Sequence, residues 1–225
     1  MNREDRLLLE YFSGFVSESR KELMDQVLSD RTRQVTVVLE DIYQSQNASA
    51  VVRTCDCFGI QDLYIIENRH EYNLNPRVVH GASKWINMYR FNTSENNTSE
   101  CLTLLKQKGY TIVGTTPDKT AMSIYDLDPE VKPAILFGTE ALGLSETAID
   151  LCDQMVTYPM YGFTESLNIS VSVSLCLSAV IPALRNSSDS WQLTDAEKDE
   201  LRLSWYRQSV NRYDILEREF LKKLK

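Results

Sequence analysis

Three short segments put polar groups where their surroundings are small or apolar. Asn47 and Arg53 lie six residues apart in Asn47-Ala48-Ser49-Ala50-Val51-Val52-Arg53-Thr54. Thr139 and Glu140 follow the apolar run Pro133-Ala134-Ile135-Leu136-Phe137, in a loop bounded by Gly138 and Gly143. Ser166-Leu167-Asn168 stands directly before an uncharged stretch, Ile169 to Leu184. A guanidinium in an apolar helix suits a phosphate or carboxylate ligand. The blander reading is that Arg53 snorkels, or pairs with Glu40 or Asp56. The glycine loop reads either as a ligand loop or as a tight strand-to-helix connection, with Ser145 as N-cap and Glu146 in the first turn. Ser166 and Asn168 read as helix caps or as ligand groups, since a helix N-terminus offers free N–H groups. Capping accounts for one polar residue more readily than for the whole run Thr164-Glu165-Ser166-Leu167-Asn168.

Several chemistries lack their residues. Gly138 to Gly143 has no middle glycine of the dinucleotide fingerprint, and no Lys-Ser/Thr follows as in a P-loop. The two histidines, His70 and His80, give neither a nucleophile-base-acid triad nor a metal-ligand spacing. Cys55 and Cys57 are one residue apart on a helical pattern, so their thiols diverge and do not form a metal pair. Five cysteines without framework spacing point to a reducing compartment, hence the cytoplasm.

These groups must be held by an alternating arrangement. Apolar strand patterns occur at Val35–Glu40, Leu63–Ile66, Trp85–Phe91 (the most peripheral), Tyr110–Gly114, Pro133–Glu140 and Met155–Met160. Helical patterns lie between them, at 48–58, 94–108 and 145–151. In the stretch from Ile169, apolar residues alternate with Ser170, Ser172 and Ser174 as in a strand. Its length, about seventeen residues without a turn signal, decides for helix. A helix uncharged all round is expected to be buried all round. Near-continuous apolar strands alternating with helices predict an α/β fold with a largely parallel sheet flanked by helices. Ligands of such sheets collect at the strands' carboxyl ends.

At 225 residues the chain is one domain with extensions, or two small ones. Residues 3–29 read as a helix or a helix pair broken at Gly14, and Thr194 to Lys225 as one charged amphipathic helix. No run of eighteen apolar residues is present, which predicts no membrane span. The charged N-terminus does not read as a signal peptide. A net charge of −8 opposes general attraction to nucleic-acid phosphate, so any such contact needs local basic stripes.

The three polar segments resemble, in order, the motifs of the SpoU/TrmH family of RNA 2′-O-ribose methyltransferases, within the SPOUT class. The segment from Asn47 to Thr54 resembles N-x-x-A-x-x-R-T, and Ile135 to Leu144 resembles the second motif. Tyr158-Pro159-Met160, followed by Ser166-Leu167-Asn168-Ile169-Ser170-Val171-Ser172, resembles the third. Gly81-Ala82-Ser83-Lys84-Trp85 is similar to a less diagnostic segment of the TrmH subgroup. The similarity covers about residues 34–185.

The resemblance implies a SPOUT fold with a C-terminal trefoil knot, one of the exceptions to unknotted chains. It divides the chain into an N-terminal helical extension (1–33), the methyltransferase domain (34–185) and a C-terminal helical extension (186–225). It implies S-adenosyl-L-methionine as cofactor, bound largely through backbone at Thr115, Gly138, Glu140, Gly143, Tyr158, Met160, Leu167 and Asn168. The family usually has an aliphatic residue where Tyr158 stands. By motif, Arg53 matches the catalytic arginine, with Asn47, Glu140, Ser166 and Asn168 as supporting groups. Its implied role is to engage an RNA phosphate and help remove the ribose 2′-OH proton, although a guanidinium is a very poor base. The resemblance also implies a homodimer in which Arg53 reaches the partner's cofactor site, with no metal. Helical extensions at both ends resemble the tRNA guanosine-18 members, so tRNA is the implied substrate; ribosomal RNA and a non-catalytic RNA-binding relative are the alternatives. Arg202, Arg207, Arg212, Arg218, Lys222 and Lys223 are either phosphate contacts or a solvated face interleaved with Glu217 and Glu219.

Overall fold

The computed structural model describes residues 1–187 and 191–224. In chain order its elements are α1 (Arg3–Ser13), α2 (Glu18–Ser29), β1 (Thr36–Glu40), α3 (Ser45–Cys57), β2 (Asp62–Ile66), α4 (Pro76–Val79), β3 (Asn87–Phe91) and α5 (Asn97–Gln107). Next come β4 (Thr111–Thr115), β5 (Met122–Ser123), β6 (Pro133–Phe137), α6 (Glu146–Leu151), β7 (Gln154–Thr157), α7 (Ile169–Ser187), α8 (Asp195–Ser209) and α9 (Tyr213–Leu224). They form two compact units: Thr32–Trp191, and Met1–Arg31 with Gln192–Lys225.

The first unit is a seven-stranded sheet in the order β3-β2-β1-β6-β4-β7-β5. Every adjacent pair is parallel. The middles of the central strands are apolar because both faces are covered. Val37, Leu39, Ile135 and Phe137 point into a core shared with α3 and α7. Val38, Ala134 and Leu136 point the other way, into a core with α5 and α6. β3 is an edge strand, as its half-exposed pattern requires. β7 lies between β4 and β5, although the short segment 116–121 joins those two directly.

α7 departs from the expectation of complete burial. Ile169, Val173, Cys176, Leu177, Val180, Ile181 and Leu184 are buried, but Val171 is 43% exposed and Ser178 and Pro182 face outward. Its serines are accommodated by hydrogen bonds to preceding carbonyls, Ser174 to Ser170 and Ser178 to Leu175, each 2.8 Å. An 18-residue window of this 19-residue helix reaches a mean hydropathy of 1.5, enough by length and composition to cross a bilayer; unbroken apolar runs do not reveal this because serines interrupt them. Here its apolar side packs against α3 and the sheet. Cys55 is buried and Cys57 exposed, so the two thiols do diverge.

Other boundaries shift slightly. α3 begins at Ser45, which brings Asn47 inside its first turns, and the polar loop after β2 contains α4.

In the second unit, α1 and α2 are separate helices with the break after Ser13. The expected single C-terminal helix is instead α8 and α9, because Arg212 adopts φ 55°. Lys225 and residues 188–190 of the expected extension lie outside the described residues. Tyr11 stacks on Phe220 at 4.2 Å, and the Arg31 guanidinium lies 5.6 Å from the Trp205 ring. Arg202 pairs with Asp25 (2.8 Å) and Asp199, and Arg207 grips Glu217 with two hydrogen bonds of 2.8 and 2.7 Å. Those two arginines are therefore structural cations of this unit.

Candidate active site

The carboxyl ends of β6, β4 and β7 open into a cleft of about 480 Å³. Its walls begin with the loop after β6. Thr139 N–H donates to Gly143 O at 3.0 Å, and Gly143 N–H returns to Thr139 O at 2.9 Å. Gly143 has φ 68°, a conformation that favours glycine. Gly138 is required for a different reason: a Cβ there would lie 2.1 Å from Gly143 O. Gly138→Ala is therefore expected to spring this loop open and lower cofactor affinity at least about tenfold, a loss of the order found for overpacked sites. Isothermal titration checks it, and unchanged affinity refutes it.

A buried carboxylate braces the same loop. Glu40, at the end of β1 and 2% exposed, accepts from Ser145 N–H (2.9 Å), Ser145 Oγ (2.7 Å) and Thr98 Oγ1 (2.6 Å). Ser145 also accepts from Ala148 N–H at 3.1 Å, as the expected N-cap of α6. Glu40 thus ties together β1, α5 and the loop. From the sequence it stood out only as a partner for Arg53. The signal it did carry was that of an acidic residue ending an otherwise apolar central strand.

The three motif segments meet at the rim of the cleft. Asn47 Nδ2 donates to Glu140 Oε1 at 2.9 Å and to Gln44 Oε1 at 2.8 Å. Asn168 Nδ2 donates to the same Glu140 oxygen at 2.9 Å and to Asn47 Oδ1 at 3.1 Å. Ile169 N–H, at the start of α7, donates to that oxygen at 3.2 Å. Asn168 Oδ1 accepts from Ser170 N–H (3.0 Å) and Ser170 Oγ (2.6 Å), so Asn168 both caps α7 and reaches the cluster. The capping reading of that residue holds, and its amide is spent on Glu140 and Asn47.

Thr115, Gly138, Glu140, Gly143, Tyr158, Met160, Ser166 and Leu167 all line the cleft. Asn168 does not; it stands behind Glu140 and holds it. Asn47 lines an adjoining narrow crevice with Glu140 and Ile169. Tyr158 is half-buried, and its hydroxyl accepts from Tyr125 Oη at 2.9 Å, which holds the Tyr125 phenol above its ordinary pKa. Cys176 forms part of the wall; burial pushes its thiol up to about 12, so it remains neutral and non-nucleophilic.

The structure does not bring Arg53 to this cluster. It is exposed on α3 and has no carboxylate partner among the described residues, neither Glu40 nor Asp56. Six helical residues turn it about 120° away from Asn47. It shares an outer face with Ala50, Thr54 and Cys57, beside the exposed face of α7, where Thr54 and Ser174 hydroxyls meet at 3.2 Å.

The cleft suits a cationic nucleoside. Phe137, Leu144, Ile149, Leu167 and Cys176 offer an apolar slot, and the tight loops supply backbone edges. Among its described lining residues there is no Lys, Arg or His, and the charged members are Glu140 and Glu165. No three His, Cys, Asp or Glu side chains among the described residues come together as a metal site requires.

A parallel α/β sheet with a ligand cleft formed by late loops defines an enzyme-like class, and comparison with known proteins gives the family. The SpoU rRNA Methylase family matches residues 34–178, and the chain belongs to it. The tRNA (guanosine(18)-2'-O)-methyltransferase of Borreliella burgdorferi is 42% identical over 205 residues, covering 91% of this chain and 92% of the relative. The crystal structure of the A. aeolicus TrmH/SpoU tRNA modifying enzyme superposes with a TM-score of 0.77 at 24% identity, covering 87% of this chain and 98% of that one. The SpoU methyltransferase AviRb from Streptomyces viridochromogenes, in complex with the cofactor AdoMet, superposes with a TM-score of 0.58 at 22% identity over 72% of this chain and 62% of that one.

Proposed function

We propose that this chain transfers a methyl group from S-adenosyl-L-methionine to a ribose 2′-hydroxyl of tRNA, at guanosine 18 of the D-loop. The observation that carries the reading is the 42% identity to an enzyme of that name over 91% of the chain, which extends well beyond the family match at 34–178. The cleft, whose described lining residues include Glu140 and Glu165 and no Lys, Arg or His, supports the cofactor assignment. Bound S-adenosyl-L-methionine supplies an electrophilic methyl on a sulfonium; the protein's residues supply alignment. The loops of Gly138–Gly143, Tyr158–Met160 and Ser166–Leu167 hold the cofactor. Asn47 and Asn168 hold Glu140, and with it the start of α7, in one arrangement.

Arg53 is assigned to the RNA phosphate and to stabilising charge on the 2′-oxygen, because a guanidinium does not give up a proton near neutral pH. We place it in the partner's site within a homodimer. Arg53 does not line its own cleft, and it borders an uncharged outer face of α7 carrying Val171, Ser178 and Pro182. The same reading includes the trefoil knot, supported by the insertion of β7 between β4 and β5. It includes a cytoplasmic location, in keeping with five cysteines that form no disulfide among the described residues. Arg212, Arg218, Lys222 and Lys223 are its candidate phosphate contacts, since Arg202 and Arg207 are engaged elsewhere.

Transfer of labelled methyl to unmodified tRNA transcripts and to ribosomal RNA, with mapping of the product, tests the reading. Label on the ribose of guanosine 18 is expected. Label on ribosomal RNA alone overturns the substrate, and no label with cofactor bound points to a non-catalytic RNA-binding protein.

A further inference from the structure

Beside the active-site cluster, two loops carry exposed aromatic rings that the proposed chemistry does not use. The connection from β1 to α3 contains Tyr43, and the segment after β2 contains Arg69 and His70. Asp41 fixes one loop to the other. It is 8% exposed with φ 56°, and its Oδ1 accepts from Asn68 N–H at 2.7 Å and Arg69 N–H at 2.8 Å. A left-handed, buried aspartate is an expensive way to join two surface loops, and it holds their side chains in one place. The Tyr43 and His70 ring centroids lie 5.2 Å apart at 48°. Tyr43 is 56% exposed, His70 and Arg69 are exposed, and the Arg69 guanidinium has no carboxylate partner among the described residues.

The surroundings connect this pair to the active site. Tyr43 lines the crevice that also contains Asn47 and Glu140. Arg69 and His70 line an open basin of about 650 Å³, whose opposite wall is the loop Thr139–Ser145 that also bounds the cofactor cleft. The basin's rim carries Glu95 and Glu146, which disfavours a phosphate there. A nucleobase, neutral at its face and polar at its edges, fits rings, guanidinium and carboxylates together.

We propose that Tyr43 and His70, with Arg69 beside them, form a stacking site for the base of an unstacked RNA nucleotide next to the one whose ribose is methylated. The proposal rests on the RNA methyl-transfer reading and adds a substrate subsite to it. Stacking on such a ring accounts for roughly 5- to 150-fold in binding.

The test uses the full chain, unmodified tRNA transcripts, and transcripts made abasic at either neighbour of the methylated nucleotide. Tyr43→Leu and His70→Ala are expected to raise KM for the intact transcript roughly 5- to 150-fold, with cofactor affinity unchanged, and Tyr43→Phe to restore it. One abasic transcript is expected to show the same loss with the wild-type chain and no further loss with Tyr43→Leu. Wild-type KM in both variants, multiplied losses in the combination, or a parallel loss of cofactor affinity overturns the subsite. A wild-type chain that methylates no RNA overturns the functional reading and the subsite with it, whereas active wild-type enzyme with unaffected variants overturns the subsite alone.

Discussion

Arg53→Ala is expected to lower methyl transfer to tRNA by about 100- to 1,000-fold, the loss typical of removing one charge-stabilising donor at a reacting oxygen. Cofactor affinity is expected to stay at the wild-type value, because Arg53 does not line the cleft of its own chain. Arg53→Lys keeps the charge but loses the planar fork, and is expected to recover only a minor part of the rate. Mixing supplies a sharper readout. If Arg53 serves the partner's site, an inactive Arg53→Ala chain combined with an inactive Glu140→Ala chain rebuilds one complete site in every mixed dimer. Half the dimers are mixed, so about a quarter of the activity is expected to return. A site using its own Arg53 recovers nothing. Single-turnover rates of the mixed and unmixed preparations check this, and full activity in Arg53→Ala removes the residue from the mechanism.

The second large effect is expected at Glu140. One of its oxygens accepts from Asn47, from Asn168 and from the first N–H of α7. Glu140→Ala removes the common acceptor of three separate motif segments. The Asn168 and Asn47 amides then turn to water, and the start of α7 loses a tether. Misplacement of about 1 Å costs on the order of 100-fold in rate, so a fall of that size in kcat/KM is expected, together with weaker cofactor binding. Thermal stability is expected to change little, since Glu140 and Asn168 are exposed. Glu140→Gln keeps one acceptor oxygen and is expected to fall between the two. A kcat/KM within a few fold of wild type in Glu140→Ala would remove the cluster from any organising role.

These expectations rest on groups legible to very different degrees in the primary structure. The parallel sheet was readable because its central strands are apolar on both faces, as in Val37-Val38-Leu39 and Ile135-Leu136-Phe137. The loops that line the cleft were readable because each combines a special backbone residue or polar run with the carboxyl end of such a strand. α7 was readable as a helix by length, but its exposure was not. An uncharged residue such as Val171 is compatible with a core, with a membrane, and with a surface facing another chain, and composition does not distinguish them. The long C-terminal helix failed at Val210-Asn211-Arg212, where no glycine or proline announces the turn and Arg212 takes the left-handed conformation.

The sequence by itself determined the fold class and the motif residues, because these depend on local residue type and on spacing along one chain. Tertiary structure alone decided which groups meet. Asn47, Glu140 and Asn168 are separated by 93 and 28 positions along the chain and share one oxygen. Glu40 reaches across 105 positions to hold Ser145. Arg53, on the same helix as Asn47, is turned away from all of them. Hydrogen bonds between distant segments depend on how the sheet orders its strands, and helical phase is decided by which face the core takes. Neither quantity is written in the identity of any single residue.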